Sequence, residues 1–397
     1  MQIIRILSAG ESHGKNLSGI IEGIPSGIPL SPDDINVDLK RRQAGYGRGG
    51  RMSIESDRAD ILSGVRWGKT LGSPIAVSIE NKDWKNWQTG MSIFRQDEGA
   101  IPPVTRPRPG HADLAGALKY HTKDMRDILE RSSARETAIR VALGAVAKKV
   151  LAEFGIGVGS YVAQIGGARF KQKDVLTEAA LAKMLSAAEK SPVRCPDRNS
   201  SLTMVRIIDK AIADRNTLGG IFIVFATGVP TGLGSHIQWD RKLDGRLAQA
   251  IMSIQAIKGV AIGDGFAMAA MRGSAVMDEI FYAESYKGLG PSFYRKTNHA
   301  GGIEGGMSNG MPIIITAVMK PIPTLKKPLK SVDVISKTPI SAAYERSDTC
   351  AVPAAAVVAE AMTALVIADA FLEKFGGDSR REIMLNFRNY MRAVKSY

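Results

Sequence analysis

The chain has 397 residues, 44% of them hydrophobic and 23% charged, which allows a substantial core and excludes a disordered or collagenous polymer. Lysine and arginine number 53 against 39 acidic residues, and the resulting +14 charge at pH 7 points to an anionic partner: nucleic acid, a membrane surface or a polyanionic metabolite. Glycine, at 41 residues, is about 10% against an ordinary ~7% and has no period of three, which suits close backbone approach to a ligand and also suits a turn-rich fold.

From the amino terminus, IIRILSA reads as a strand running into the polar turn GESHGK. Residues 25 to 60 are dominated by proline, glycine and charge, apart from the short segment DDINVDLKRR, and IAVSI at 75 to 79 is the next strand. The tryptophan-, glycine- and proline-rich stretch from about 80 to 110 reads as a long irregular excursion of the functional kind. HADLAGALKYHTKD is expected to be helical. Ser133 followed by Glu136 then has the pattern of a capping box opening a long helix, SARETAIRVALGAVAKKVLAEFG, which Gly155 ends. GSYVAQIGG is a strand candidate, and 172 to 190 reads as a surface helix. IFIVFAT at 221 to 227 and PIIITAV at 312 to 318 are further strands, LDGRLAQAIMSIQAIKG at 243 to 259 a helix stopped by Gly259, and 353 to 375 a last long helix running into Gly376 and Gly377. With no fixed repeat or linker, a single interwoven α+β domain spanning 1–397 is expected.

Cys195 and Cys350 fit neither a disulfide framework nor a metal-binding spacing, so a reducing, cytoplasmic setting is expected. No uninterrupted apolar run reaches about 18 residues, and Glu11 and His13 come early, so neither a membrane-spanning nor a secreted protein is expected.

Gly45, Gly47 and Gly50 match the spacing of a dinucleotide-binding fingerprint but lack the preceding apolar strand and the helix opening within it. Arg42, Arg48 and Arg51 among these glycines are better read as an anion loop, with a solvated basic turn as the alternative. Flexible glycines and mutual repulsion would keep this loop open until an anion arrives. His13, between glycines at a strand end, is either an acid-base residue or a structural one. His111, in RPRPGHAD, neighbours Arg106 and Arg108, whose charge disfavours its protonation until an anionic ligand binds. His121, His236 and His299 make weaker cases, and no histidine spacing suggests a metal. Arg131, Ser132, Ser133 and Arg135 lie at a helix start that can receive an anion, although Ser133 could simply cap and the arginines pair with Glu130 and Glu136. GGIEGGMSNG exposes backbone on which a flat heteroaromatic group could rest, and YERSDTC sets Arg346 and Asp348 two residues apart, as partners or on one extended face.

Together, GESHGK, RRQAGYGRGGR, RPGHAD, ERSSARETA, QAIKG, NHAGGIEGGMSNG, KPIPT and ERSDTC, in this order and at these separations, resemble the chorismate synthase family over essentially the full length. The resemblance implies a β-α-β sandwich with helices packed between antiparallel sheets, assembled as a homotetramer. It implies a carbon-oxygen lyase that converts 5-enolpyruvylshikimate 3-phosphate to chorismate and phosphate by an anti-1,4-elimination with reduced FMN. It assigns Arg131, Ser132, Ser133, Gln255, Ala256, Gly305, Lys320, Pro321, Ile322, Pro323, Thr324 and Arg346 to the flavin environment. Arg42, Arg48, Arg51, Arg108 and Arg135 fall to the phosphorylated substrate or to NADPH, the latter only as a source of reducing equivalents. It makes His13 the donor to the leaving phosphate, His111 a stabiliser of the reduced flavin near N1 and the C2 carbonyl, and Asp348 a proton acceptor or relay at flavin N5. With no additional reductase domain recognisable, the enzyme is expected to be monofunctional and to depend on an external flavin reductase. A nucleic-acid-binding protein is the competing reading of the +14 charge, but no recognition helix, RRM or zinc-finger spacing accompanies it. A basic redox protein that merely stores FMN is the other.

Overall fold

The computed structural model describes residues 3–49, 56–171, 177–283, 293–345 and 347–397. Its amino-terminal sheet has the order β1-β2-β6-β3, formed by β1 (Arg5–Ala9), β2 (Asn16–Glu22), β3 (Ala59–Ile61) and β6 (Ile75–Glu80), every pair antiparallel. The small hairpin of β4 (Val65–Arg66) and β5 (Lys69–Thr70) lies between the last two. Alternation decides which face is covered: Leu17 and Ile21 of β2, with Ile75, Val77 and Ile79 of β6, all point into the core. A second antiparallel sheet, in the order β10-β15-β9-β7-β8, is built from β7 (Gly157–Ile165), β8 (Ala168–Arg169), β9 (Gly220–Thr227), β10 (Ile257–Ile262) and β15 (Ile313–Met319). Three further hairpins, β11 (Ile280–Tyr282) with β12 (Phe293–Arg295), β13 (Ile303–Glu304) with β14 (Met307–Ser308), and β16 (Lys330–Val332) with β17 (Pro339–Ser341), decorate this frame. Among the described residues every pair of strands is antiparallel, which removes the parallel βαβ frame that a dinucleotide fingerprint at Gly45 and Gly47 would need.

Helices fill the space between the sheets. The helices α1 (Pro32–Gln43), α2 (Asp113–Tyr120), α3 (Arg126–Ser132), α4 (Thr137–Ala152), α5 (Glu178–Glu189), α6 (Arg198–Ala213), α7 (Leu243–Met252), the single turn α8 (Gly273–Val276), α9 (Val352–Phe375) and α10 (Arg380–Lys395) follow in chain order. The first sheet packs on α4, α4 on α9, and α9 on β7 and β9 of the second sheet, whose other face takes α5. This is the expected sandwich of helices between antiparallel sheets. Gly144 makes the central contact possible, since a Cβ there would lie 2.4 Å from the Ala361 Cβ. By length and composition α9 could cross a membrane, but 94% of its apolar window is buried inside the protein, so it is a core helix.

Several sequence-based boundaries move. Ser133 does not open the long helix: its hydroxyl accepts from the Arg135 amide and caps a 3-10 turn, Ala134–Glu136, so α3 and α4 are separate helices with a break between them. Glu136 makes no reciprocal capping bond because its carboxylate takes Arg140, Ser8 and Gln255 instead. The helix from 243 ends at Met252, and Gly259 sits inside strand β10. The surface helix begins at Glu178, capped by the Thr177 hydroxyl, and residues 172–176 of the expected segment lie outside the described residues.

Candidate active site

The ends of these elements converge on a cavity of ≈ 970 Å³ between α9 and the loops that follow β1, α3, α7 and β15. The GESHGK turn after β1 contributes Ser12 and His13; the last turn of α1 brings Arg42, and the glycine loop after it brings Arg48. Residues 108–112 supply Arg108 and His111, and the α3–α4 break supplies Ser132, Ser133 and Arg135. Gln255, Ala256 and Lys258, then Lys320, Ile322, Pro323 and Thr324, then Asp348 just before α9 complete the lining. Residues from nearly the whole length of the chain thus share one site.

Both histidines are held by carboxylates. His13 donates its backbone N–H to Glu130 Oε2 and its ring Nδ1 lies 2.8 Å from Glu130 Oε1. The Trp87 ring, from the irregular excursion, stacks on the His13 ring at 4.0 Å between centroids. His111 Nδ1 lies 2.6 Å from Asp113 Oδ1, and the same carboxylate takes the Arg108 Nε at 2.8 Å. Burial alone would raise the Asp113 pKa, but the hydrogen bonds from His111 and Arg108 hold it well below the usual carboxylate range. Asp113 therefore answers the arginine charge that the sequence places beside His111.

The arginines are likewise paired within the chain. Asp57 stands 2.7 Å from Arg135 and 3.7 Å from Arg42, whose Nε also donates to Thr137 Oγ1. Arg48 lies 3.1 Å from Asp348 Oδ2, and the Gly49 amide donates to Oδ1 at 2.7 Å. The expectation that Arg42 and Arg48 repel each other into an open loop fails for this part of it, because Asp57 and Asp348 supply the missing countercharge. Arg51 and Arg346 lie outside the described residues.

Two features mark the lining from Gln255 to Lys320. Ala256 is held at φ +67°, a left-handed conformation rare for a residue with a Cβ, while its carbonyl accepts from the Lys320 amide. Gln255 donates to Glu136, and its buried Oε1 finds no partner among the described residues. Lys320 donates its Nζ to the Gly110 carbonyl, and its pKa is lowered by burial and by the charge of Lys258. Lys258 and Lys320 thus add two like charges to the lining, close enough for one to depress the pKa of the other.

Among the described residues, three assigned ones stay out of the cavity lining. Arg131 turns its guanidinium onto the carbonyls of Ser8 and Gly10, bracing the first strand. Pro321 does not face the cavity, and Gly305 sits in the β13–β14 turn, where the atom nearest to an added Cβ would be the His236 Cβ at 4.0 Å. Conversely, sequence reasoning passed over Ser12, Trp87, Asp113 and Lys258, and named Glu130 only as an arginine partner. Ser12, Asp113, Glu130 and Lys258 belong to motifs already singled out, so their signal was present; Trp87 carried none beyond its irregular, aromatic-rich stretch.

A family profile described as chorismate synthase matches residues 4–372. The chorismate synthases of Geotalea uraniireducens (strain Rf4) and Aquifex aeolicus (strain VF5) are 56% and 55% identical over the whole of this chain and of their own. A solved structure described as "Crystal Structure of Chorismate Synthase" superposes with a TM-score of 0.80 at 46% identity, covering 99% of each chain. Sequence, fold and the cationic cavity agree: the chain belongs to the chorismate synthase family.

Proposed function

We propose that this cavity converts 5-enolpyruvylshikimate 3-phosphate to chorismate and phosphate with reduced FMN bound beside the substrate. The observation that carries it is the convergence of Arg42, Arg48, Arg108, Arg135, Lys258 and Lys320 with two carboxylate-held histidines on one cavity. A substrate with a phosphate and two carboxylates carries about four negative charges at neutral pH, which such a cationic lining suits.

The residues present also fit a flavin. Gln255 Oε1 is a buried acceptor that a ring N–H would satisfy, and Lys320 and Lys258 present positive charge suited to a phosphate tail. Bound reduced FMN would supply electron density to the substrate ring as the allylic phosphate leaves, with no net redox change. His13 gives a proton to the departing phosphate oxygen. His111, fixed by Asp113, would offset the negative charge of the reduced cofactor when it is bound. Asp348 takes up the proton lost from C6; it becomes available when the arriving substrate draws Arg48 away from it. Arg42 and Arg135, braced by Asp57, hold the substrate anion in register without changing rotamer, which lowers the entropic cost of reaching the reactive arrangement.

The same reading takes residues 1–397 as one monofunctional domain, supplied with reduced FMN by a separate reductase drawing on NADPH, in the cytoplasm and as a homotetramer. Anaerobic turnover tests the chemistry: with reduced FMN and 5-enolpyruvylshikimate 3-phosphate, phosphate and chorismate should form in equal amounts with the flavin still reduced. Oxidation of one flavin per turnover would overturn it in favour of a redox enzyme.

A further inference from the structure

Glu130 sits on the last turn of α3 with its side chain almost fully buried, and it grips the GESHGK turn at three points. Its carbonyl accepts from the Ser12 amide at 3.0 Å, its Oε2 from the His13 amide at 2.8 Å, and its Oε1 faces the His13 ring Nδ1 at 2.8 Å. Burial by itself would raise the Glu130 pKa; the bonds and charge of His13, with the charge of Arg126, bring it below the ordinary carboxylate value, so the group is ionised. An ionised carboxylate only accepts hydrogen bonds, so the proton on that contact belongs to Nδ1.

Other groups complete the enclosure. Arg126 Nη1 lies 3.1 Å from Glu130 Oε1, its Nη2 3.5 Å from Glu345, and its guanidinium carbon 4.9 Å from the Trp87 ring centroid. Trp87 in turn donates its indole N–H to Asp83 and lies against the His13 ring at an interplanar angle of 27°. Glu130 thus restrains the imidazole at its edge while Trp87 restrains it at its face, two directions that together fix both tautomer and ring plane.

We propose that Glu130 is a positioning residue for the phosphate-leaving step: it keeps a proton on His13 Nδ1 in both charge states, so that the imidazolium gives its Nε2 proton to the leaving group and is left as the neutral Nδ1–H tautomer. This rests on the reading of His13 given above. The Arg126 pair lies within α3 itself and would leave the histidine tautomer unconstrained; it is the Glu130 contact with Nδ1 that reaches the first turn.

The test combines a spectroscopic readout with kinetics. Ring-15N-labelled histidine in the wild-type enzyme, with the His13 signal assigned by its loss in His13→Asn, should show the Nδ1–H tautomer at a pH where the ring is neutral. Glu130→Gln has one acceptor and one donor in place of two acceptors, so it cannot serve both His13 donors; it should show the Nε2–H form appearing. Its kcat should fall about 100-fold, the lower end of what a placed acid-base group contributes, with KM for the substrate changed by less than about threefold. A wild-type His13 in the Nε2–H form would overturn the proposal even if the glutamine variant did not fold, and so would a Glu130→Gln enzyme with unchanged kcat. Full activity in His13→Ala would instead overturn the underlying role of His13.

Discussion

Arg48 and Asp348 show how one ion pair can serve two states. Their 3.1 Å contact is nearly buried, and the Gly49 amide on the same carboxylate ties the glycine loop to the segment before α9. Gly49 has to be glycine for this approach, since a Cβ would lie 2.8 Å from the Ser347 carbonyl oxygen. An anionic substrate competes with Asp348 for the guanidinium. Arg48→Ala should therefore raise the substrate KM by roughly 10- to 100-fold, the worth of one charge-assisted hydrogen bond, while melting shifts by only a few degrees. Steady-state kinetics beside a thermal melt checks this; an unchanged KM would return the loop to a plain basic turn.

At the scale of elements, the α4–α9 contact sets the spacing of everything the cavity needs. α4 carries the first sheet and follows the α3–α4 break, while α9 carries the second sheet and opens beside Asp348. Gly144 lets the two backbones approach: a Cβ would lie 2.4 Å from the Ala361 Cβ, 2.6 Å from its Cα and 2.8 Å from its carbonyl oxygen. Backbone cannot swing aside as a side chain does. Gly144→Val should cost about 3 kcal/mol or more in urea unfolding, the upper range for overpacking, and reduce activity by displacing α9. A variant as stable as the parent would show that the helices can slide apart freely.

For the molecule as a whole, a buried charge cluster at the middle of the sandwich governs behaviour in acid. Glu360, fully buried on α9, receives Arg41 and Lys148 at 2.7 Å each, Arg194 at 3.2 Å and the Ser160 hydroxyl at 2.6 Å. Burial alone would raise its pKa, but the charges of Lys148, Arg41 and Arg194 hold it far below the usual carboxylate range, as His111 and Arg108 do for Asp113. Folded, these carboxylates bind fewer protons than in the unfolded chain, where they titrate near pH ~4. Their contribution is complete above that pH and is lost as pH falls through the lower folded values, so stability declines in acid. Glu360→Gln takes one carboxylate from Arg41, Lys148 and Arg194 and leaves them to Asp38 and Glu189, so it should cost about 3 kcal/mol at pH 7, the low end for breaking a buried pair. The deficit should narrow on going to pH ~3, because the wild type there loses what the variant lacks. Urea unfolding at both pH values checks the sign; a deficit that widens in acid would contradict it.

The sequence by itself determined the parts whose signal is local. Alternation in IAVSI, the continuous apolar runs of IFIVFAT and PIIITAV and the apolar length of 353–375 specify strands and a core helix because side-chain periodicity is a property of neighbouring residues. The motifs identified the family for the same reason, each being a short run of residues. Tertiary structure decided the rest. That Ser133 caps a 3-10 turn depends on Glu136 being drawn to Arg140, Ser8 and Gln255, a choice made by groups distant in the chain. Whether Arg48 meets Asp348, whether Asp113 stands between Arg108 and His111, and whether Arg131 faces the cavity or the first strand are likewise set by packing. Ion pairs and tautomers depend on distances of a few ångströms between residues that sequence separation leaves free, and only the closure of α4 on α9 between the two sheets fixes them.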